Sequence, residues 1–517
     1  MRSSAMGDGL ADRCAPLCGN RPHGARQPDC RSVLDSAAMK PLITFTSAAE
    51  RQLIVDQALD ILERVGMRFG QCDALDLLGE AGARVDREAG VARLPRSLVE
   101  QAVARCPREV LLAGATPADD VLLDGSDIHF LPSGTPTKTL DPETGTARAG
   151  TSEDLRQAII VADAMPVVDI MWPPVASADL PEVEQSFDEL LTILSWTNKH
   201  TQHDVTETWQ VAPMLALLDE LCGGLDAYRA RPRVSFVCCT TSPLGIDGPF
   251  LDLSLEMARH GAPILVYPMP IAGATAPVTV AGTTTMNVAE FLGVATAFQL
   301  AAPGAPLIFG AGTSLLDMKA ATFSFGALET TLMCAACVEI AHEIGVPVLA
   351  PGLATDALYG GLQAGYEKAL KGLLVAASGA DLITGGIGLL HGAGLFSLPQ
   401  IVVDAEIATM IKRLLAGCEV SEAAIMADVV ARIGFDGHYL KEKDTTRRLR
   451  AGEVFFPEIA TRLSYDAWAS GGRDELAVAL SRARDLVAAA DARGPVLSAE
   501  TLTRLREIVA AATPPAS

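Results

Sequence analysis

PVLAPGLATDALYGGLQAGYEKALKGLLVAASGA, Pro347 to Ala380, decides the fold. An apolar run (347–356) ends in Thr355 and Asp356. A Tyr-Gly-Gly break follows, and helical periodicity then continues to Ala380. The next apolar run, DLITGGIG (381–388), begins at once. Strands that alternate with helices pair in parallel, because each return needs a crossover. A polar strand tip ahead of a helix is a usual place for chemistry in α/β enzymes. This one holds no nucleophile, lysine or metal-ligand cluster.

The same unit recurs along the chain. The predicted strands are 128–134, 167–174, 200–205, 234–242, 262–270, 306–312, 347–356 and 381–388. Several intervening helices close on Gly followed by Ala-Pro or Val-Pro, a C-cap and then strand entry. Most strands are continuous apolar runs, as expected of strands covered on both faces. The third, HTQHDV, is polar throughout. Eight units in roughly 260 residues fit a (β/α)₈ TIM barrel better than an open sheet. The predicted organisation is a disordered extension (1–38), a helical N-terminal region (39–126), the barrel (127–418) and a helical C-terminal region (419–517). Ser47 with Glu50 reads as a capping box opening the first helix.

Composition narrows the function classes. Of the 517 residues 49% are hydrophobic and 20% charged, too apolar for disorder. A net charge of -22 argues against nucleic acid, which calls for a basic footprint. Eleven scattered cysteines fit reduced thiols and a cytoplasmic location better than a disulfide framework. Cys334 and Cys337 form a CxxC within an apolar helical pattern, where core packing is the favoured reading. No apolar run reaches the ~18–20 residues of a membrane span. No metal-ligand spacing stands out, so no tightly bound metal is expected.

Active sites of such barrels lie at the C-terminal strand ends. The candidates are Ser133 and Gly134, Trp172, His203 with Asp204, Thr240 to Ser242, Tyr267, Gly310 and Gly312, Thr355 with Asp356, and His391. His203 and Asp204 are adjacent, so only one of them can face the centre. His391 sits between glycines, which suggests backbone close to a ligand. Tyr267, Trp172, Phe309 and Phe396 lie at or near strand tips, where ring faces could enclose a methylammonium cation. Each ring alone could equally be packing.

TDALYGGLQAGYEKAL (355–370), GADLITGGIG (379–388), IVVDAEIATMIKRLL (401–415) and KDTTRRLRAGEVFFPEIATRLSYDAWASGG (443–472) together resemble the cobamide-dependent trimethylamine methyltransferase family. LDPETGTARAGTSEDL (140–155) fits as well, and the resemblance runs from about Thr46 to Leu505. It implies an enzyme, a methyltransferase that moves a methyl group from a methylated amine to the Co(I) corrinoid (cobalamin) of a cognate partner protein. Archaeal relatives, linked to methanogenesis, carry pyrrolysine deep in the barrel. This chain has standard residues only and resembles the branch acting on quaternary amines such as glycine betaine. Relatives read roughly Asp-x-Lys-x-x-Asp-x-Gln after the seventh strand. Here Asp356 and Gln363 stand, with Leu358 and Gly361 between them.

The resemblance implies catalytic roles for Asp356 and His391. It implies substrate contacts from His391, Gly386, Phe396 and Tyr267, while Trp172, Phe309 and His203 are substrate-binding candidates by their strand-tip positions. The chain lacks a B12-binding Asp-x-His-x-x-Gly motif, since DGHYLK (436–441) has Lys441 at the glycine position, so the corrinoid is expected on a separate protein. A homo-oligomer is compatible with such a barrel. A (β/α)₈ lyase or aldolase and a non-catalytic binding barrel are the competing classes. A lyase would want a strand-tip lysine or a set of metal-binding carboxylates.

Overall fold

The computed structural model describes residues 42–435 and 437–512. The expected extension, 1–38, lies outside the described residues. Ala416–Phe456 belongs to one compact unit, and Ala38–Leu415 with Pro457–Ser517 forms another.

The second unit contains the barrel. Its strands are β1 (His129–Phe130), β2 (Ile170–Met171), β3 (His200–His203), β4 (Val234–Cys239), β5 (Ile264–Tyr267), β6 (Leu307–Gly310), β7 (Val348–Ala350) and β8 (Leu382–Ile383). Each pairs in parallel with its sequence neighbour from β2 onward, and β8 returns to β1. A single parallel bridge, Phe130 to Val168, closes the ring between β1 and β2. All eight expected strands are present. The polar third strand is fully buried, and its first histidine finds partners for both ring nitrogens. His200 bonds through Nδ1 to the Ala113 carbonyl (3.1 Å) and through Nε2 to Ser235 Oγ (2.9 Å). Burial lowers the His200 pKa to about 3, so the ring is neutral.

In the N-terminal region α1 (Ala48–Arg64), α2 (Asp73–Glu80) and α3 (Arg96–Val103) are helical as expected. The capping box forms at Ser47 and Glu50. A three-stranded antiparallel sheet, Met67–Arg68, Val91–Arg93 and Arg84–Asp86, lies among these helices. Its strands are two or three residues long, too short to print a period of two on the sequence. Around the barrel run α4 (Ser152–Asp163), α5 (Glu182–Trp196), α6 (Thr208–Cys222), α7 (Gly248–Arg259), α8 (Val280–Ala301), α9 (Leu328–Ile344), α10 (Leu362–Ala377) and α11 (Leu398–Leu415). Thr151, Asp247 and Thr279 cap α4, α7 and α8 through their side chains. Two later helices, Glu475–Arg493 and Ala499–Ala511, pack on α11 and α6 respectively.

Side chains sort into two apolar layers. The larger lies between strands and helices, where Phe309 of β6 stacks on Phe291 of α8 at 4.3 Å. The smaller fills the barrel with Ile170, Val237, Leu265, Ile308, Leu349 and Leu382, topped by Trp172, Cys239 and Tyr267. Cys334 and Cys337 are fully buried on α9. Among the described residues no helix is long and apolar enough to cross a membrane.

Candidate active site

Alternation along β3 puts His200, Gln202 and Asp204 on one face and Thr201, His203 and Val205 on the other. Gln202 is in register with Ser235, which is two residues before the bore-lining Val237. His203 points the other way and shares a 3.2 Å contact with Ser186 of α5. His203, expected at the substrate, is therefore held against the helix ring. Asp204 takes the inward place. Among the described residues no cationic side chain stands beside its carboxyl, and desolvation raises its pKa to about 7. Glu189 of α5 lies near enough to feel the Asp204 charge, and burial together with that charge raises it to about 7 as well.

The bore contains further polar groups without partners. Both polar side-chain atoms of Gln202, the Trp172 indole N–H and the Thr384 hydroxyl are buried and find no partner among the described residues. An unpaired buried polar group costs about 1–3 kcal/mol, so several in one bore mark a place where a polar ligand or water belongs. Cys239 is in register with Tyr267. Burial, with the Asp204 charge close by, holds its thiol far above the ordinary range, so it remains protonated and is no thiolate nucleophile. The Tyr267 ring lies against β6. A Cβ on Gly310 would sit 2.2 Å from Tyr267 Cδ2, so only glycine leaves room for the ring.

Other candidates serve the loops. Thr240 and Ser242 donate to the buried Glu290 of α8, which also accepts from the Leu244 N–H at 2.9 Å. Ser133 accepts from the Gly385 N–H at 2.9 Å, tying the β1 tip to the β8 tip. Asp356 accepts from the Ser324 hydroxyl and, at 2.8 Å, from the Phe325 N–H. Its own N–H donates to Glu367 of α10 at 2.9 Å. Lys371 is buried and donates to the Phe325 carbonyl at 2.7 Å. Asp356 thus holds the turn before α9, with both carboxylate oxygens engaged.

His391 tips a hairpin formed by Leu389–Leu390 and Leu395–Phe396. Its φ is +51°, and its ring is exposed, with no hydrogen bond to the described residues. The backbone docks this tip: His391 N–H donates to Ala357 O and Gly392 N–H to Thr355 O, both at 2.8 Å. The loops of Asp356 and His391 are thereby joined. Gly386 meets another backbone rather than a cavity, since a Cβ there would stand 1.9 Å from Leu353 O. Buried Lys368 donates to Gly386 O and to Asp404 Oδ2 (2.5 and 2.6 Å), and Asp404 accepts the Gly388 N–H at 2.9 Å. Phe309 and Phe396, expected at the ligand, are packing residues of the strand–helix core. Among the described residues no group of three or more His, Cys, Asp or Glu side chains could hold a metal ion.

The sequence model of the trimethylamine methyltransferase (MTTB) family matches residues 21–513. A trimethylamine methyltransferase of Desulfitobacterium hafniense (strain DSM 10664 / DCB-2) is 31% identical over 429 residues, 83% of this chain and 86% of that protein. The chain belongs to this family. It is also similar to a trimethylamine methyltransferase of Methanosarcina thermophila, 28% identical over 83% of this chain and 89% of that one. A glycine betaine methyltransferase of Desulfitobacterium hafniense (strain Y51) is 26% identical over 83% of this chain and 89% of that protein. The crystal structure of the Methanosarcina barkeri monomethylamine methyltransferase aligns with a TM-score of 0.45 and 15% identity, covering 89% of this chain and 99% of that one.

Leu358 is 59% exposed at the rim rather than turned into the bore. Gln202 and Thr384 escaped the sequence reading. The signal for both was present in the alternation: each lies two residues beyond a bore-facing position, or two short of one, on a strand already assigned.

Proposed function

We propose that the chain transfers a methyl group from a quaternary amine, glycine betaine or a close analogue, to the Co(I) corrinoid of a separate partner protein. The observation that carries this reading is Asp204, a bore-facing carboxyl with no cationic side chain among the described residues to pair with. A quaternary ammonium supplies that charge, and it has no N–H, so ring faces and a carboxylate are its natural partners. Trp172 and Tyr267 line the same bore. The unbonded amide of Gln202, the Trp172 N–H and the Thr384 hydroxyl suit the polar end of a betaine.

A quaternary ammonium leaves as a neutral amine, so the donor needs no protonation and no covalent activation. The corrinoid, as acceptor, supplies the nucleophile. This chain's residues then bind the cation, exclude water and orient one methyl group toward the mouth. That role agrees with the side chains present. Lys368 and Lys371 are both committed to loop carbonyls, and the Cys239 thiol stays protonated. The rim loops carrying Asp356 and His391 frame the opening, and His391, with its free ring, is the residue proposed to meet the donor's carboxylate.

The test mixes purified protein with Co(I)-cobalamin, or with a corrinoid protein encoded nearby, and a panel of methylated amines. Methylcobalamin formed from a quaternary donor, followed by absorbance, is the expected result. Transfer from none of them sinks the proposal, and transfer from tertiary amines alone moves the substrate assignment to that class.

A further inference from the structure

The tip of the hairpin after β8 turns through left-handed backbone at His391, Gly392 and Ala393, with φ of +51°, +57° and +66°. Only the glycine adopts that region freely, so the histidine and the alanine are held there by their surroundings. The hairpin's own pairs, Leu389 with Phe396 and Leu390 with Leu395, end before the tip. Inside the tip the Gly394 N–H closes the turn on His391 O at 2.9 Å. Two further bonds come from outside it, where the carbonyls of Ala357 and Thr355 accept the N–H groups of His391 and Gly392.

The segment that offers those carbonyls is fastened to α10 by one side chain. Glu367 Oε2 accepts from Thr355 Oγ1 at 2.5 Å and from the Asp356 N–H at 2.9 Å. Thr355 Oγ1 in turn accepts the Ala357 N–H at 3.1 Å, so both carbonyls that hold the tip lie in the span this carboxylate fixes. The other oxygen, Oε1, accepts from the Gln363 amide at 2.9 Å. The loop after β6 closes on the same carboxylate, since a Cβ on Gly326 would stand 2.6 Å from Oε2. Glu367 therefore sits where the loops of β6 and β7 meet, and the β7 loop carries the β8 tip. Every residue of this linkage belongs to the barrel unit.

We infer that Glu367 is a positioning residue for His391 and, through it, selects donors that carry a carboxylate. The inference rests on the proposed methyl-transfer reading, in which the His391 ring meets the donor's carboxylate. Glu367 does not touch the donor, because its oxygens are taken up by Thr355, Asp356 and Gln363. Its influence runs through backbone. It fixes the β7 segment, the segment fixes two N–H groups at the tip, and those set the direction in which the His391 side chain leaves the chain. Without the anchor the strained tip relaxes, and the ring spreads over positions that miss the carboxylate. The ammonium end, proposed to bind at Asp204, Trp172 and Tyr267, does not depend on the tip.

Calorimetry on the full chain compares glycine betaine with tetramethylammonium, which share the cation but not the carboxylate. Glu367→Ala should weaken glycine betaine about tenfold and tetramethylammonium less than about twofold. Glu367→Gln should restore most of the loss. Its amide oxygen still accepts from Thr355 and Asp356, and Gln363, exposed beside it, turns its own oxygen to the new N–H. Thr355→Val, which removes one bond of the two, should give the same split at smaller size, and far-UV circular dichroism checks that each variant is folded. Adding His391→Ala to Glu367→Ala should weaken glycine betaine little further, since the two residues act as one. Hydrogen exchange read by mass spectrometry needs no ligand: amides of residues 389–396 should exchange at least about tenfold faster in Glu367→Ala than in the wild type or Glu367→Gln, with β4 and β5 unchanged. Equal weakening of both ligands makes Glu367 a purely structural residue and overturns the inference, as does unchanged exchange at the tip. A wild-type chain that binds neither ligand overturns the methyl-transfer reading and the donor selection with it, and the exchange rates then report separately on the linkage.

Discussion

The tips of β3 and β7 each carry an aspartate, and the molecule treats the two in opposite ways. Asp204 enters the bore without a counter-charge, and burial raises it to about 7. Asp356 is bound on both oxygens by the Ser324–Phe325 turn, beside a second set of fully partnered charges, Lys368 with Asp404 and Lys371 with the Phe325 carbonyl. A group with all its bonds made inside the chain positions something. A group left short of bonds is kept for a ligand, because its burial is otherwise unfavourable. The contrast separates framework from site more sharply than residue type does, since both residues are aspartates at strand tips.

The sharpest break in that contrast comes from the framework side. Lys368→Met leaves Asp404 buried and uncompensated, with 0% exposure on both partners. The expected loss is about 3–5 kcal/mol in urea unfolding, because a lone buried charge is strongly unfavourable. A loss near zero would mean that the β8 loop does not depend on the pair. Asp204→Asn should behave in the reverse manner. Transfer from a quaternary amine should fall roughly a hundredfold, about 2.7 kcal/mol at 1.36 kcal/mol per tenfold. The melting temperature should stay level or rise, since an unpaired carboxyl has gone. A variant that loses stability instead would place Asp204 with the framework.

Asp356→Ala is expected to be intermediate. Loss of the two turn contacts should lower stability by about 1–3 kcal/mol and transfer by less than roughly tenfold. A larger loss of transfer with unchanged stability would give Asp356 the direct role that its strand-tip position suggested. The smallest effect is the pH dependence. The folded pKa of Asp204 lies above its ordinary 3.8, so between about pH 4 and 7 the folded chain holds a proton that the unfolded chain has released. This group's contribution to stability therefore falls as pH rises through that window and is flat above it. A cation binds the ionised form, so its affinity, measured by calorimetry, should rise about tenfold per unit up to pH 7 and then level. Glu189 faces Asp204 and also titrates near 7, so the midpoint belongs to the pair. The Asp204→Asn variant should flatten most of the profile.

The barrel was legible because its signal is long-range and repeated. Eight strand–helix units, each closed by a cap or a Gly-Pro turn, leave few alternatives. Even the polar third strand could be counted, although its partners, Ala113 and Ser235, were not visible in a single sequence. The site was less legible. Alternation says that His203 and Asp204 face opposite ways but does not say which faces inward, and the structure gives that place to Asp204. Phe309 and Phe396 sit near strand tips yet turn outward, where Phe291 and the α11 side fill the space around them. The glycines before His391 also read as ligand contacts, but Gly386 is there because the Leu353 backbone passes too close for any side chain.

The closure between β1 and β2 has a dynamic consequence. Every other junction of the ring carries at least two paired residues, whereas this one has the single Phe130–Val168 bridge, supported by the Asp169 N–H on Phe130 O at 2.9 Å. Lys412 of α11 reaches Asp169 at 3.3 Å and stands 6.0 Å from the centre of the Phe130 ring. The ring of strands is thus sealed at its thinnest seam by a side chain from the last barrel helix. Fluctuations of the cylinder should concentrate there, and the amides of Phe130 and Asp169 should exchange with solvent by local opening while those of β4 and β5 wait for global unfolding.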